Sequence, residues 1–335
     1  MTITEFAGFA MFKRFKIYGL KSCVIRLAAC GTLVFVQMLH AQLPQIVPVN
    51  IYGDGNPENG IEDSRLPIAD SPGDVGSEAT QLMNAGSIHC DGRFRGTAMV
   101  IDTSELTSGV HGVVLLSSAH VIYNLDKSRR FRRCKFYFMG WGRASGYRSK
   151  IDLKTVRMGD FDPREMTSGM DFGKGDWVFL YVPKPWKKYQ PWQSIRLRSF
   201  EFANMESFQQ SGGEFRLVAF DKGDGVIKQS RNCTVIESKP DDIGGGVWKG
   251  QLLDDCDSTD GASGGGILAY FNNHQFLIGI RSGSHWNEGL FPVDRYPSGP
   301  VEGSRWNRFS NTNFGRAIDA EILHELGQFI QLLEE

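Results

Sequence analysis

Three short segments carry side chains whose types suit nucleophilic catalysis. Leu115-Leu116-Ser117-Ser118-Ala119-His120 is an apolar run that ends in a histidine. Gly175-Asp176-Trp177-Val178-Phe179-Leu180 sets an acid directly before an apolar run. Asp257-Ser258-Thr259-Asp260-Gly261-Ala262-Ser263-Gly264-Gly265-Gly266 places a serine in a glycine-rich turn. A serine hydroxyl is a weak nucleophile until a positioned base takes its proton. Imidazole suits that task near neutral pH, and a carboxylate fixes its tautomer and stabilises the imidazolium that forms. Glycines around Ser263 let the backbone aim the amides of Gly261 and Ser263 at one developing oxyanion. Each segment alone has an ordinary structural explanation: a core histidine, a turn acid, a flexible turn. Together, in the order His120, Asp176, Ser263, they point to a hydrolase with these three residues as its triad.

Two nearby residues compete for the same roles. His111 sits in a polar loop without the strand-end placement, and Asp171 precedes Phe172-Gly173, which reads as a turn. Gly261-Ala262-Ser263-Gly264-Gly265 also satisfies Gly-x-Ser-x-Gly, the nucleophile elbow of α/β-hydrolases. That fold requires a helix after the serine and the chain order serine, acid, histidine. Here glycines and a strand pattern follow Ser263, and both partners lie upstream.

The elements that must position these residues read as strands. From about residue 84, runs of four to eight apolar or alternating residues recur between turn formers: 96–101, 113–116, 135–139, 177–182, 215–220, 266–271 and 276–280. That pattern predicts an all-β sandwich or barrel. A polar stretch from Pro183 to about Ser194 reads as a linker between an N-terminal half (about 84–190) and a C-terminal half (about 195–315). The one helical pattern is at about 318–333, where Ile322, Leu323, Leu326, Ile330 and Leu333 fall on one face behind a capping Asp319.

Charge and the N-terminus narrow the function classes. The formal net charge is -1, and residues 1–41 hold five basic side chains against one acid, so the remainder carries about -5. A mildly acidic chain is a poor binder of nucleic acid. Within 1–41 a basic stretch precedes the apolar run Leu27 to Leu39 and the small Ala41, the order of a secretory signal peptide, with Met1 or Met11 as the start. No stable membrane span is expected after its removal, and secretion or a periplasmic location follows. Residues 42–80, rich in Pro, Gly, Asp and Asn, read as an irregular leader or pro-segment, and 81–335 as the folded domain. Cys90, Cys134, Cys233 and Cys256 remain beyond the signal; two disulfides are expected, with three pairings open. No zinc-spaced cluster is present, so neither metal nor cofactor is expected. The run Lys127, Arg129, Arg130, Arg132, Arg133, Lys135 reads as a solvated loop.

These segments resemble the trypsin/chymotrypsin family of serine proteases. Ser118-Ala119-His120 is similar to its Ala-Ala-His segment, Asp176-Trp177-Val178-Phe179-Leu180 to its Asp-Ile-Ala-Leu-Leu strand, and Gly261-Ala262-Ser263-Gly264-Gly265 to its Gly-Asp-Ser-Gly-Gly motif. Cys256-Asp257-Ser258-Thr259 resembles the bacterial exported branch that includes glutamyl endopeptidases. The resemblance, over roughly 84–330, implies two six-stranded antiparallel β-barrels, a triad in the cleft between them and a C-terminal helix. It implies the pairings Cys90–Cys134 and Cys233–Cys256. It assigns the side-chain pocket to Asp257, Ser258 and Thr259 on one wall and Ile280, Arg281, Ser282, Gly283 and Ser284 on the other. Asp257 would favour a basic substrate side chain and His285 an acidic one; the sequence leaves both open. Ala262 stands where trypsin-like enzymes carry the Asp that pairs with a new N-terminus, so that activation switch is expected to be absent. The expectation is a monomeric, exported endopeptidase acting on protein or peptide substrates. The alternative is a catalytically inactive binding protein that keeps the protease fold.

Overall fold

Short apolar runs closed off by turn formers bury one face of each strand against a neighbour, and this chain repeats that solution almost throughout. The computed structural model describes residues 65–68, 84–107, 109–125, 128–138, 147–164, 174–186, 194–199, 204–238, 250–259, 261–286 and 311–335. The predicted signal peptide lies outside the described residues.

The N-terminal half is a closed antiparallel barrel. Its strands are β2 (Ala85–Cys90), β3 (Arg93–Ile101), β4 (Val113–Ser117), β7 (Cys134–Phe138), β8 (Arg148–Met158) and β9 (Val178–Val182), in the order β2-β3-β4-β9-β8-β7. Closure leaves no unpaired edge. Its interior is filled by Ile88, Val100, Leu115, Phe136, Phe138, Phe179 and Leu180, all solvent-free. A minor ribbon, β5 (Tyr123–Asn124) and β6 (Arg129–Arg130), leaves the barrel after β4. Arg129, Arg130, Arg132, Arg133 and Lys135 are exposed around it, as expected of a solvated basic loop.

The C-terminal half is an eight-stranded sheet whose ends nearly meet. It contains β1 (Leu66–Pro67), β10 (Glu214–Asp221), β11 (Val226–Cys233), β12 (Val235–Glu237), β13 (Gln251–Asp254), β14 (Gly266–Phe271), β15 (His274–Trp286) and β16 (Asn311–Ala317). The order is β1-β11-β10-β14-β15-β16-β13-β12. β11 and β12 are separated by Thr234 alone yet sit near opposite ends of this order. They form one strand bent at Asn232, whose φ is +55°. The bent strand pairs with β10 through its first part and β13 through its last, so the sheet curls into a half-barrel, the second barrel of the fold. The expected all-β, chymotrypsin-like architecture is observed, with the first half a closed six-stranded barrel and the second a curled half-barrel sheet.

Both disulfides are formed as the resemblance implied. Cys90–Cys134 ties β2 to β7, and Cys233–Cys256 ties the bend of the closing strand to the chain after β13. At the same seam the Thr234 N–H donates to the Asp255 carboxylate at 2.6 Å. Burial pushes that carboxyl up to about 6 despite the hydrogen bond.

The connection between the halves is stitched to both. The Ile195 N–H donates to the Val100 carbonyl at 2.8 Å, and the Arg198 N–H to the Leu277 carbonyl at 3.0 Å. The last elements also cross between halves. A short helix α1 (Met205–Gln210) precedes β10, and the terminal helix α2 (Ala320–Glu334) follows β16 of the second barrel. Helix α2 nevertheless packs on the first barrel through Phe329 against Phe179 and an Arg157–Glu325 ion pair. Asp319 caps it as predicted, accepting from the Ile322 N–H at 3.1 Å. No helix among the described residues is long and apolar enough to cross a membrane.

Two outcomes follow from the seam. Replacing Cys233 and Cys256 together by Ala releases a 23-residue separation and lowers unfolding free energy by on the order of 3 kcal/mol, read by urea titration. Asp255 binds its proton more tightly folded than unfolded. Its contribution is therefore favourable at low pH, is lost as pH rises from about 4 to about 6, and stays lost above. Asp255→Asn keeps the acceptor for Thr234 and removes that slope, so the variant gains stability over the parent at pH 7 but not at pH 4.

Candidate active site

His120 and Asp176 come together from opposite ends of adjacent strands. β4 delivers the chain into a 3₁₀ turn, Ala119–Ile122, that carries His120. Asp176 lies two residues ahead of β9, the partner of β4 in the sheet. Antiparallel pairing of β4 with β9 therefore brings the exit of one beside the entry of the other. The Asp176 carboxylate is fully buried and meets the imidazole Nδ1 at 2.9 Å and 3.1 Å through its two oxygens. It also accepts the backbone N–H of His120 at 2.9 Å. The acid thus fixes ring orientation and backbone at once, with Nδ1 occupied and Nε2 left as the nitrogen that can exchange a proton.

Ser263 is carried by the second barrel on a turn that enters β14. Two points of contact fasten this turn to the His120 segment. The Arg281 carbonyl accepts both the Gly264 N–H at 2.8 Å and the Ser118 hydroxyl at 2.6 Å. Thr97 of β3 bridges the same gap: its N–H donates to the Ser263 carbonyl at 2.7 Å and its hydroxyl to the Gly261 carbonyl at 2.8 Å. The Thr97 hydroxyl in turn accepts the Phe220 N–H at 2.9 Å. The approach is close enough to require glycine. A Cβ on Gly264, whose φ is +79°, would lie 2.2 Å from both the Ser117 hydroxyl and the Thr97 carbonyl oxygen. A Cβ on Gly96 would lie 2.7 Å from both the Ser263 carbonyl oxygen and a Val121 methyl. The Ser263 turn therefore rests directly against Ser117 and Ser118 ahead of His120, and Gly96 lies close to both that turn and Val121 behind it. The Ser263 hydroxyl makes a long 3.5 Å contact with the Ser282 carbonyl.

The turn leaves two amides without partners. Ala262, Gly264 and Gly265 donate to Thr259, Arg281 and Ala262 carbonyls respectively. The N–H groups of Gly261 and Ser263 have no acceptor among the described residues. Gly261 has a φ of +107°, outside the range of ordinary side-chain-bearing residues.

The predicted pocket walls are both buried and linked. Asp257 and Ser258 are nearly solvent-free, as are Ile280, Arg281 and Ser282. Asn313 of β16, which belongs to no motif, joins the walls. Its side-chain oxygen accepts the Ser284 hydroxyl at 2.6 Å, and its amide nitrogen donates to the Cys256 carbonyl at 2.7 Å. Arg281 does not present a free charge: its guanidinium pairs with Asp254 at 2.5 Å in the barrel interior. Burial pushes the Asp254 carboxyl up, against the opposing pull of Arg281.

No family model matches the chain, and no curated protein matches it. Among solved structures it is similar to a Glu endopeptidase in complex with MPD, at 12% identity and a TM-score of 0.48, over 82% of this chain and 97% of that one. At that distance nothing about the site follows from the likeness.

The competing residues fall elsewhere. His111 is exposed beyond the opposite end of β4 from His120. Asp171 lies outside the described residues, as does the side chain of His285. Among the described residues, no group of three or more His, Cys, Asp or Glu side chains is placed to hold a metal. Sequence reading missed Thr97 and Asn313, and the role of the Ser118 hydroxyl within the His120 segment, because all three act through hydrogen bonds to backbone atoms.

Thr97→Val preserves shape and removes the hydroxyl, leaving the buried Phe220 amide without its acceptor. It should cost about 1–3 kcal/mol of stability, with the Gly261 turn loosened. Chemical denaturation alongside amide exchange of residues 261–265 reads both effects.

Proposed function

We propose that this chain is an exported serine endopeptidase that hydrolyses peptide bonds through an acyl-enzyme. The observation that carries the reading is the grip of buried Asp176 on His120, at 2.9 Å to Nδ1 and 2.9 Å to the backbone N–H. An imidazole held in one tautomer, beside a nucleophile turn with two unengaged amides, is what acyl transfer from serine requires. The order and motifs shared with the trypsin/chymotrypsin family support the same reading, and the two disulfides fit an oxidising compartment.

The chemistry runs as follows. The Ser263 hydroxyl turns from the Ser282 carbonyl toward His120. His120 Nε2 takes its proton as the oxygen attacks the substrate carbonyl, and Asp176 stabilises the imidazolium. The carbonyl oxygen becomes an oxyanion held by the Gly261 and Ser263 amides. The tetrahedral intermediate collapses, the C–N bond breaks, and His120 gives its proton to the departing amine. Water, deprotonated by His120, then attacks the acyl ester and returns Ser263 to its hydroxyl form. Residues 257–259 and 280–284 line the site for the substrate side chain.

Ser263→Ala should lower turnover of a cleaved peptide by about five to six orders of magnitude, and Asp176→Asn by about four. A fluorophosphonate probe should label Ser263 in the parent, located by peptide mapping. Undiminished hydrolysis in Ser263→Ala sinks the assignment. A parent that neither labels nor cleaves is the inactive binding protein instead.

A further inference from the structure

We infer that residues 65–68, within the stretch read from the sequence as a leader, are a working part of the catalytic unit, and that Arg65 is a positioning residue for the turn carrying Ser263. The catalytic half rests on the peptidase reading above; retention of the segment does not.

The segment precedes the first barrel in sequence but docks on the second. Leu66 and Pro67 pair with Gln229 and Lys228 of β11, and the Ile68 N–H donates to the Ile227 carbonyl at 3.0 Å. Ile68 is buried at 4% exposure. An added strand of two residues is marginal on its own, so side chains must hold it. Arg65 does this from an almost closed position, its side chain 7% exposed. The guanidinium pairs with Asp221 at 2.9 Å and donates to the Thr259 hydroxyl at 2.7 Å.

Those two partners have different roles. Asp221 is a fixed post: it ends β10, accepts the Gly223 N–H at 2.8 Å and also pairs with Lys228 at 2.9 Å. Burial works against its charge, but the Lys228 hydrogen bond and the Arg65 charge prevail and hold the carboxyl below its usual range. Thr259 belongs to the loop that leads into the nucleophile turn. Its carbonyl accepts the Ala262 N–H at 3.0 Å, and the Ala262 carbonyl accepts the Gly265 N–H at 2.7 Å. A continuous path thus runs from Asp221 through Arg65 and Thr259 to the peptide bearing Ser263. Arg65 also lines the same small cavity as Asp257, Ser258 and Ala262. A planar guanidinium can satisfy two partners in a set direction with little rotational freedom to lose, whereas an ammonium cannot fix the angle between them.

Any maturation cut must then fall upstream of Arg65. The full chain is produced with its signal and the active product's N-terminus is read by intact mass; the expected product retains Arg65. Active protein that begins after Ile68 overturns retention. Arg65→Ala should lower kcat by about 10–100-fold with KM little changed, slow fluorophosphonate labelling of Ser263 in parallel, and regain part of its rate with added methylguanidinium. Arg65→Lys should fall between. An Arg65→Ala variant with parental kcat and a lowered thermal midpoint would reduce Arg65 to a stabilising contact. If that variant does not accumulate, Thr259→Val keeps the Arg65–Asp221 pair and should show the same loss of kcat; parental kcat there overturns the positioning role. A parent inert toward the probe removes the catalytic half along with the peptidase reading, and the N-terminal mass still decides retention.

Discussion

A single carbonyl oxygen, that of Arg281, takes hydrogen bonds from the nucleophile turn and from the segment bearing His120. The two halves have separate walls, but one apolar core runs through both, joining Leu115 and Phe179 of the first to Val218, Phe220, Leu268 and Phe314 of the second. The candidate residues are divided between them, with His120 and Asp176 on one and Ser263 on the other. Relative placement of the halves therefore decides whether a catalytic geometry exists at all. A carbonyl with two lone pairs can serve both sides at once, and Thr97 repeats the device from the other barrel with three hydrogen bonds of its own. Polar clasps of this kind are directional where apolar packing is not. The halves are thus held together by a shared apolar core, including Phe94 on Phe220 at 4.6 Å between centroids, and oriented by hydrogen bonds at the cleft.

The C-terminal half buries an ion pair beneath the nucleophile turn. Arg281 and Asp254 are fully desolvated, and two guanidinium nitrogens, Nε and Nη1, lack acceptors among the described residues. Buried pairs of this sort rarely add net stability, because desolvation offsets the attraction. What the pair does supply is direction. Arg281 is the residue whose backbone amide and carbonyl both bond the Ser263 turn, at Gly265 and Gly264. Anchoring its long side chain in the barrel interior restrains rotation of β15 at the point where the turn is fastened. Losing one partner alone would leave an uncompensated charge beneath the site.

Much of this was legible in the residues, for physical reasons that can be named. The strands at 113–117, 178–182, 214–221 and 266–271 show themselves because both faces or one whole face is buried, so their apolar runs are dense. β8, with the sequence Arg-Ser-Lys-Ile-Asp-Leu-Lys-Thr-Val-Arg-Met, alternates weakly and carries a register shift between Asp152 and Val156. Its pattern was diluted by charge on the solvent face and broken by the irregularity. β16 was invisible for another reason: Asn311-Thr312-Asn313 is polar because Asn313 and Thr312 satisfy buried backbone and side-chain groups, so burial there does not look apolar. The triad candidates were legible because the chemistry demands particular side chains. Their supporting contacts were not, since a carbonyl acceptor belongs to every residue alike.

The strand at 66–67 escaped for a third reason, and it bears on how the molecule is held together. Two residues that contain a proline offer no periodicity to read, and the turn formers around them argue for irregular chain. Their placement depends instead on Arg65 reaching partners at positions 221 and 259, which only the fold brings together. At the other end, α2 leaves the second barrel and returns to the first. Both ends of the described chain thus pack on the half that is distant in sequence. A molecule whose site lies between two lobes gains most from ties of this kind, because each opposes separation of the halves rather than unfolding of either one. The hydrogen-bonded clasp at the cleft sets the relative position of the two halves to within bonding distance, and the crossed termini add contacts that only the folded arrangement can make.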